Sequence, residues 1–174
     1  MELKRLCGKV WILERKFQIQ ERPNNIFIIS FDLIKDRNKV LRGGPWWYQQ
    51  VPIMIQLYDG VKSILAMDSL FFWVCFKNIP PKYEIPENFP SIASVPGRYI
   101  EYDDKLFMQS KKVRVRVEKK LSDPILTSKN IKLATNAEEQ IDFYFENCLS
   151  ICDACNLVFH ENGKCRANSS YIAG

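Results

Sequence analysis

Four residues near the C-terminus carry the clearest chemistry in this chain. Cys152, Cys155, His160 and Cys165 are spaced C-x2-C-x4-H-x4-C, and His160 is the only histidine. Three thiolates and one imidazole close a tetrahedral shell around one Zn²⁺, with Zn–S near about 2.3 Å and Zn–N near about 2.0–2.1 Å. A shell closed by four protein ligands leaves no position for a metal-bound water, so the expected zinc is structural rather than catalytic. The competing readings are unrelated free cysteines or half of a disulfide framework. Cys148 in place of Cys152 would stretch the first spacing beyond the usual range, so it is left out of the ligand set.

The second constellation is basic. In the stretch 111–120, a period of two places Val113, Val115 and Val117 on one strand face and Arg114, Arg116 and Glu118 on the other. Lys111, Lys112, Lys119 and Lys120 extend the charge at both ends. Such a face either holds phosphates, with a salt-dependent affinity, or is the solvated side of an ordinary strand. Around the cysteines, Leu157, Val158 and Phe159 offer an apolar surface for splayed bases, flanked by the cations Lys164 and Arg166. Asp153 and Glu161 subtract from that charge. Trp46, Trp47, Tyr48, Phe71, Phe72, Trp73 and Phe76 are candidate base-stacking residues, but their apolar context predicts core. Cys7 and Cys75 read as buried free thiols.

Little remains for catalysis. With its one histidine assigned to zinc, the chain has no histidine base or triad. Asp103-Asp104 and Glu138-Glu139 are adjacent pairs whose side chains diverge. Gly43-Gly44 lacks the Lys-Ser/Thr of a phosphate-binding loop. No enzymatic activity and no small-molecule substrate are expected.

The whole chain limits the alternatives. Its 174 residues suit one ordinary domain with a small appendage, and 47% hydrophobic content predicts a folded core. A net charge of +5 permits a polyanionic partner without establishing one. No apolar run is long enough for a membrane-spanning helix, and the start lacks a secretory signal. Six cysteines without a signal predict a reducing compartment, nucleus or cytoplasm. The sequon Asn168-Ser169-Ser170 then has no role.

The elements that must position these groups follow from periodicity. Leu3, Leu6 and Val10 predict a short helix ending at Trp11. Phe17 to Ile19 and Ile26 to Phe31 predict two strands around a Pro23-Asn24-Asn25 turn. A second helix capped near Asp32 stops at Gly43-Gly44-Pro45, before a strand whose Ile53, Ile55 and Leu57 share a face. That order, helix-strand-strand-helix-strand, is the ferredoxin-like pattern without its first strand, as in a truncated product. Phe71 to Phe76 predicts a strand buried on both faces. A short helix over 87–95, strands at 98–103, 113–117, 131–133 and 141–145, a loop over 119–128 and a turn at 136–138 complete the reading.

Three signatures in order carry a resemblance: Val40-Leu41-Arg42-Gly43-Gly44-Pro45-Trp46, Phe72-Trp73-Val74 ending at Ile79-Pro80, and Val113-Arg114-Val115-Arg116-Val117. Followed by the Cys/His motif, they resemble the plant domain of unknown function found in retroelement-derived proteins just ahead of a zinc knuckle. The resemblance covers residues 1–166 and implies a nucleic-acid-binding accessory protein. The chain departs from the pattern at Asn156 and Phe159, where glycine is usual. Asn tolerates a left-handed backbone, whereas Phe159 predicts a strained loop.

The expected fold is α+β: a truncated ferredoxin-like or RRM-like half over residues 1–59, a β-rich continuation over 60–146, and a zinc knuckle with its tail over 147–174. The expected function is zinc-dependent binding of single-stranded nucleic acid, RNA in preference to DNA. The alternative is a protein-interaction or structural remnant in which zinc only orders the C-terminus.

Overall fold

The computed structural model describes residues 2–60, 67–132, 138–149, 151–160 and 165, with side chains from Arg5 onward. The chain is mixed α+β and divides into two compact units, Met1–Gly44 with Ile55–Ala66 and Pro45–Met54 with Met67–Gly174. Residues 45–54, placed by sequence with the first half, group with the second unit.

The first unit runs α1 (Glu2–Val10), β1 (Phe17–Arg22), β2 (Ile26–Phe31) and α2 (Ile34–Gly43). β1 and β2 form an antiparallel hairpin from Phe17↔Phe31 to Arg22↔Ile26. Asn24 and Asn25 turn it with φ of 64° and 56°, a conformation asparagine tolerates better than most residues. Trp11 is buried and packs on Phe17 and Phe31, with ring centroids 5.4 and 6.0 Å away. The N-cap of α2 is Leu33, with no side-chain cap, rather than Asp32. α2 instead grips the loop before β1. The buried carboxylate of Asp36 accepts the backbone N–H groups of Glu14 (3.1 Å) and Arg15 (2.9 Å), and Lys39 Nζ donates to Ile12 O at 2.6 Å. Burial pushes the Asp36 carboxyl up, but the two amide bonds together with the charges of Lys39 and Lys35 outweigh it and hold its pKa below the ordinary value.

The second unit opens on a tight hairpin, β3 (Trp46–Tyr48) with β4 (Val51–Ile53), turned by Gln49 and Gln50 at φ of 48° and 65°. The longer alternating strand expected through Leu57 does not form. β4 ends at Ile53, with Pro52 paired to Trp47 inside the ladder, and Leu57 is exposed. The sheet expected of a ferredoxin-like half is thus represented, among the described residues, by two separate two-stranded ladders.

The main body is a five-stranded antiparallel sheet in the order β6-β7-β5-β9-β8. Its strands are β5 (Ser69–Lys77), β6 (Arg98–Tyr102), β7 (Val113–Lys120), β8 (Ser128–Lys132) and β9 (Glu138–Phe145). The register of β5 on β7 runs from Ser69↔Lys120 to Phe76↔Val113. Leu70, Phe72, Val74 and Phe76 therefore share a face with Val113, Val115 and Val117 and with Ile141, Phe143 and Phe145 of β9, and these residues form the core. Two 3₁₀ turns and α3 (Phe89–Ala93) add Phe89, Ile92 and Ala93 to it, with Pro90 in the first turn of α3 as its missing N–H requires. Gly97 sits where β6 meets β7, and a Cβ there would lie 2.7 Å from Glu118 O. Sequence reading missed α4 (Asp104–Ser110), which Asp103 caps by accepting from Leu106 N at 3.0 Å. β7 continues through Lys120 and β8 begins at Ser128, so the expected loop shrinks to 121–127. Leu133, Asn136 and Ala137 of the expected strand end and turn lie outside the described residues.

Candidate metal centre and the basic strand

The segment after β9 brings its ligands together by short backbone bonds. Asn156 N donates to Cys152 O at 2.8 Å and Cys152 N to Leu157 O at 2.9 Å, closing a tight loop around the first two cysteines. Asn156 takes φ of 57°, the left-handed conformation its place in the motif demands. Phe159 is not among the described residues of positive φ, so the strain expected there is absent.

One ligand atom each from Cys152, Cys155, His160 and Cys165 lies within 4.8 Å of the others. The Cys152 and Cys165 sulfurs are 3.7 Å apart. Tetrahedral bonds of about 2.3 Å put two sulfurs about 3.8 Å apart, while a disulfide requires about 2.05 Å. The donor set therefore fits a thiophilic divalent ion, and all six cysteines are free thiols. His160 lowers the Cys152 thiol to about 6 through a hydrogen bond, helped by the Ala154 and Cys155 backbone amides. At Cys155 a backbone bond from Leu157 lowers the pKa, but burial and the neighbouring thiols raise it and prevail. Cys152 is thus the more readily deprotonated of the two, and a bound metal would displace the thiol protons that remain.

The loop between the ligands is turned inward. Val158 is buried and belongs to the sheet's core, and Leu157 is also buried. Asn156 O accepts from Ile125 N at 2.7 Å, and Ile125 is itself core. The apolar surface expected to meet bases is thus largely spent on packing; of Leu157, Val158 and Phe159, only Phe159 is half-exposed. Lys164 and Arg166, like Glu161, lie outside the described residues. Cys148 is half-buried outside the cluster, its thiol pushed up to about 11 by burial.

The basic strand is arranged differently from the expectation. Alternation along β7 is as read, but the guanidinium groups already have anionic partners. Arg114 forks between Glu146 (2.8 and 2.7 Å) and Asp103 (2.9 Å), and its side chain is only 22% exposed. Arg116 reaches Glu101 at 3.4 Å with 12% exposure, and Arg98 pairs with Glu118. Their planes also cover rings, Arg114 over Trp73 at 4.1 Å and Arg116 over Phe71 at 5.1 Å. Three guanidiniums thus meet four carboxylates, so the arginines leave no excess positive charge for phosphate. Lys119 falls on the valine side, 7% exposed, and burial lowers its pKa. Lys111, Lys112 and Lys120 are exposed, but Lys112 and Lys120 stand about 26 Å apart at opposite ends of the strand.

The partners Glu101, Asp103 and Glu146 are residues that sequence reading missed. Only Asp103 had a local signal, as an acidic residue three before Leu106 and four before Phe107. Cys75 belongs to the same network, donating to Glu146 at 3.2 Å, and burial followed by Glu146 raises its thiol to about 11. The stacking candidates Phe72, Trp73 and Phe76 are buried, while Trp46, Trp47, Tyr48 and Phe71 are half-buried. Among the described residues no helix is long and apolar enough to cross a membrane.

Comparison with known proteins agrees with part of the sequence resemblance. The chain is 25% identical over 139 residues to an Arabidopsis thaliana protein described as "Uncharacterized protein At4g02000", an alignment covering 79% of this chain and 43% of that one. The chain therefore spans less than half the length of this relative. No solved structure matches. Residues 1–60 match the family described as "Domain of unknown function (DUF4283)", a plant domain often found with retrotransposon-like zinc-knuckle proteins, and the chain carries a Cys/His cluster of the corresponding kind at its C-terminal end.

Proposed function

We propose that this protein is a non-enzymatic accessory protein of retroelement descent that binds single-stranded nucleic acid, RNA in preference to DNA, and depends on one bound Zn²⁺ to do so. The observation that carries this reading is the Cys152, Cys155, His160 and Cys165 set, gathered within 4.8 Å at knuckle spacing. The match of residues 1–60 to a domain that accompanies such knuckles supports it. When bound, zinc supplies a cross-link among the four ligands. The chain's own residues do the rest: Asn156 turns the loop, and Val158 and Ile125 seat it on the sheet. The reducing interior of a cell, nucleus or cytoplasm, is the setting that three thiolate ligands require.

A second reading is favoured by one observation, the burial of Leu157 and Val158. In it zinc only orders the C-terminus of a protein-interaction or structural remnant. A titration of the zinc-loaded protein with single-stranded RNA over a range of salt separates the two. Nucleic-acid binding predicts an affinity that falls as salt rises, by about 0.7 in log K per log salt for each phosphate contact, and that falls on chelation. Absence of binding at low salt leaves the second reading standing.

A further inference from the structure

The net charge of the chain is concentrated in one unit. Residues 1–44 and 55–66 hold eleven Lys and Arg against six Asp and Glu, while the remaining residues hold fourteen of each. The whole excess of five positive charges therefore belongs to the first unit. Loading the Cys3His set with a divalent ion leaves three thiolates against two positive charges, which turns the second unit slightly negative. Charge therefore draws a polyanion's backbone to the first unit rather than to the arginine strand, and the zinc-ordered loop serves binding through contacts to bases, not to phosphates.

Within that unit the charge has a place. Asp36 and Lys39 of α2 hold the loop before β1 along the helix. Arg15 and Lys16 of the loop and Lys35 and Lys39 of α2 are exposed together as a result. Beside them lies an open cavity of about 460 Å³ lined by polar and charged side chains, Lys35, Lys39 and Arg42 among them. Its two carboxylates, Asp36 and Glu14, cancel two of these charges, and Arg15, Lys16, Lys35 and Lys39 still leave an excess of two. Asp36 is occupied by backbone amides, and Glu14 is held by Lys35 in an exposed ion pair, which a phosphate can replace at little cost.

We propose that the α2 face of the first unit, with Arg15, Lys16, Lys35 and Lys39, is the surface on which the sugar-phosphate backbone of a single strand docks. This rests on the nucleic-acid reading above and adds its location. Fixed cations along a rigid helix and a tethered loop supply positioning contacts without base readout.

The test compares two full-length, zinc-loaded variants with the parent in titrations against a single-stranded RNA oligonucleotide at several salt concentrations. The first is Arg15→Gln/Lys16→Gln/Lys35→Gln, which spares Asp36 and Lys39. The second removes the same charge from the other unit, Lys111→Gln/Lys112→Gln/Lys120→Gln. Thermal melts establish that both remain folded. The expected result is a salt slope lower by about 2 in the first variant, with affinity at low salt reduced by about tenfold or more, and little change in the second. Equal losses in both variants, or a loss confined to the second, overturn the placement while leaving nucleic-acid binding intact. Failure of the parent to bind RNA overturns both. Displacement of the RNA by a polyglutamate peptide of equal charge at equal concentration shows an acidic protein partner and also overturns the proposal.

Discussion

Arg114 shows how one residue takes its role from partners distant in sequence. Its fork holds Glu146, at the end of β9, and Asp103, the cap of α4. Burial would raise the Glu146 carboxyl, but hydrogen bonds from Arg114 and Cys75 outweigh it and depress its pKa below 4.5. A depressed carboxylate contributes stability that is fully present above its unfolded pKa and lost as pH falls through its folded one. Glu146→Gln is therefore expected to cost about 1–2 kcal/mol at pH 7 for a mostly buried, charge-assisted pair. The gap between variant and parent should close as pH drops below 4.5, and denaturant melts at pH 7 and pH 3 measure both. A gap of equal size at both pH values would mean that packing, not charge, is what Glu146 supplies. Alternation in the sequence placed Arg114 and Arg116 on one face, but it carries no information about partners 11 and 32 residues away. A strand facing solvent and a strand under a carboxylate lid share the same pattern.

At the scale of elements, the loop 152–160 is fastened to the sheet. Val158 lies in the core with Ile125, and Asn156 O closes the contact. Metal binding and sheet stability are then linked: what favours the folded loop favours both. Val158→Ala should lower the stability of the second unit by about 1.5–3 kcal/mol and weaken zinc affinity in parallel. His160→Ala should abolish most zinc affinity and lower the melting temperature, yet leave the five-stranded sheet folded, because most of the core lies outside the loop. Calorimetry with and without zinc checks the linkage; zinc that binds Val158→Ala as tightly as the parent would show an independent loop. Ligand spacing was legible in the sequence because the four ligands span only fourteen residues. The left-handed turn at Asn156 was legible for the same local reason. The inward direction of Leu157 and Val158 was not, since an apolar pair between metal ligands serves equally to meet a base or a core.

Over the whole molecule, β7 and β9 were readable because they alternate against a buried face, β2 and β5 because each is a near-continuous apolar run, and α2 because Gly43-Gly44-Pro45 stops it. The short β3-β4 hairpin was misread as one longer strand, since Ile53, Ile55 and Leu57 alternate correctly while the ladder ends at Ile53. α4 was missed because seven residues hold too few apolar positions for a helical period to register. The uneven charge between units depends on the fold's division of the chain, in which residues 45–54 leave the first unit and 55–66 rejoin it.

The zinc-linked relations rest on Cys152, Cys155, His160 and Cys165 holding one zinc ion, which a single measurement tests directly. Protein purified under reducing conditions is analysed for metal, beside a His160→Ala variant handled identically. The account predicts one zinc per chain in the parent and a small fraction of that in the variant. A parent without stoichiometric zinc, or a variant that retains it in full, would contradict the assignment.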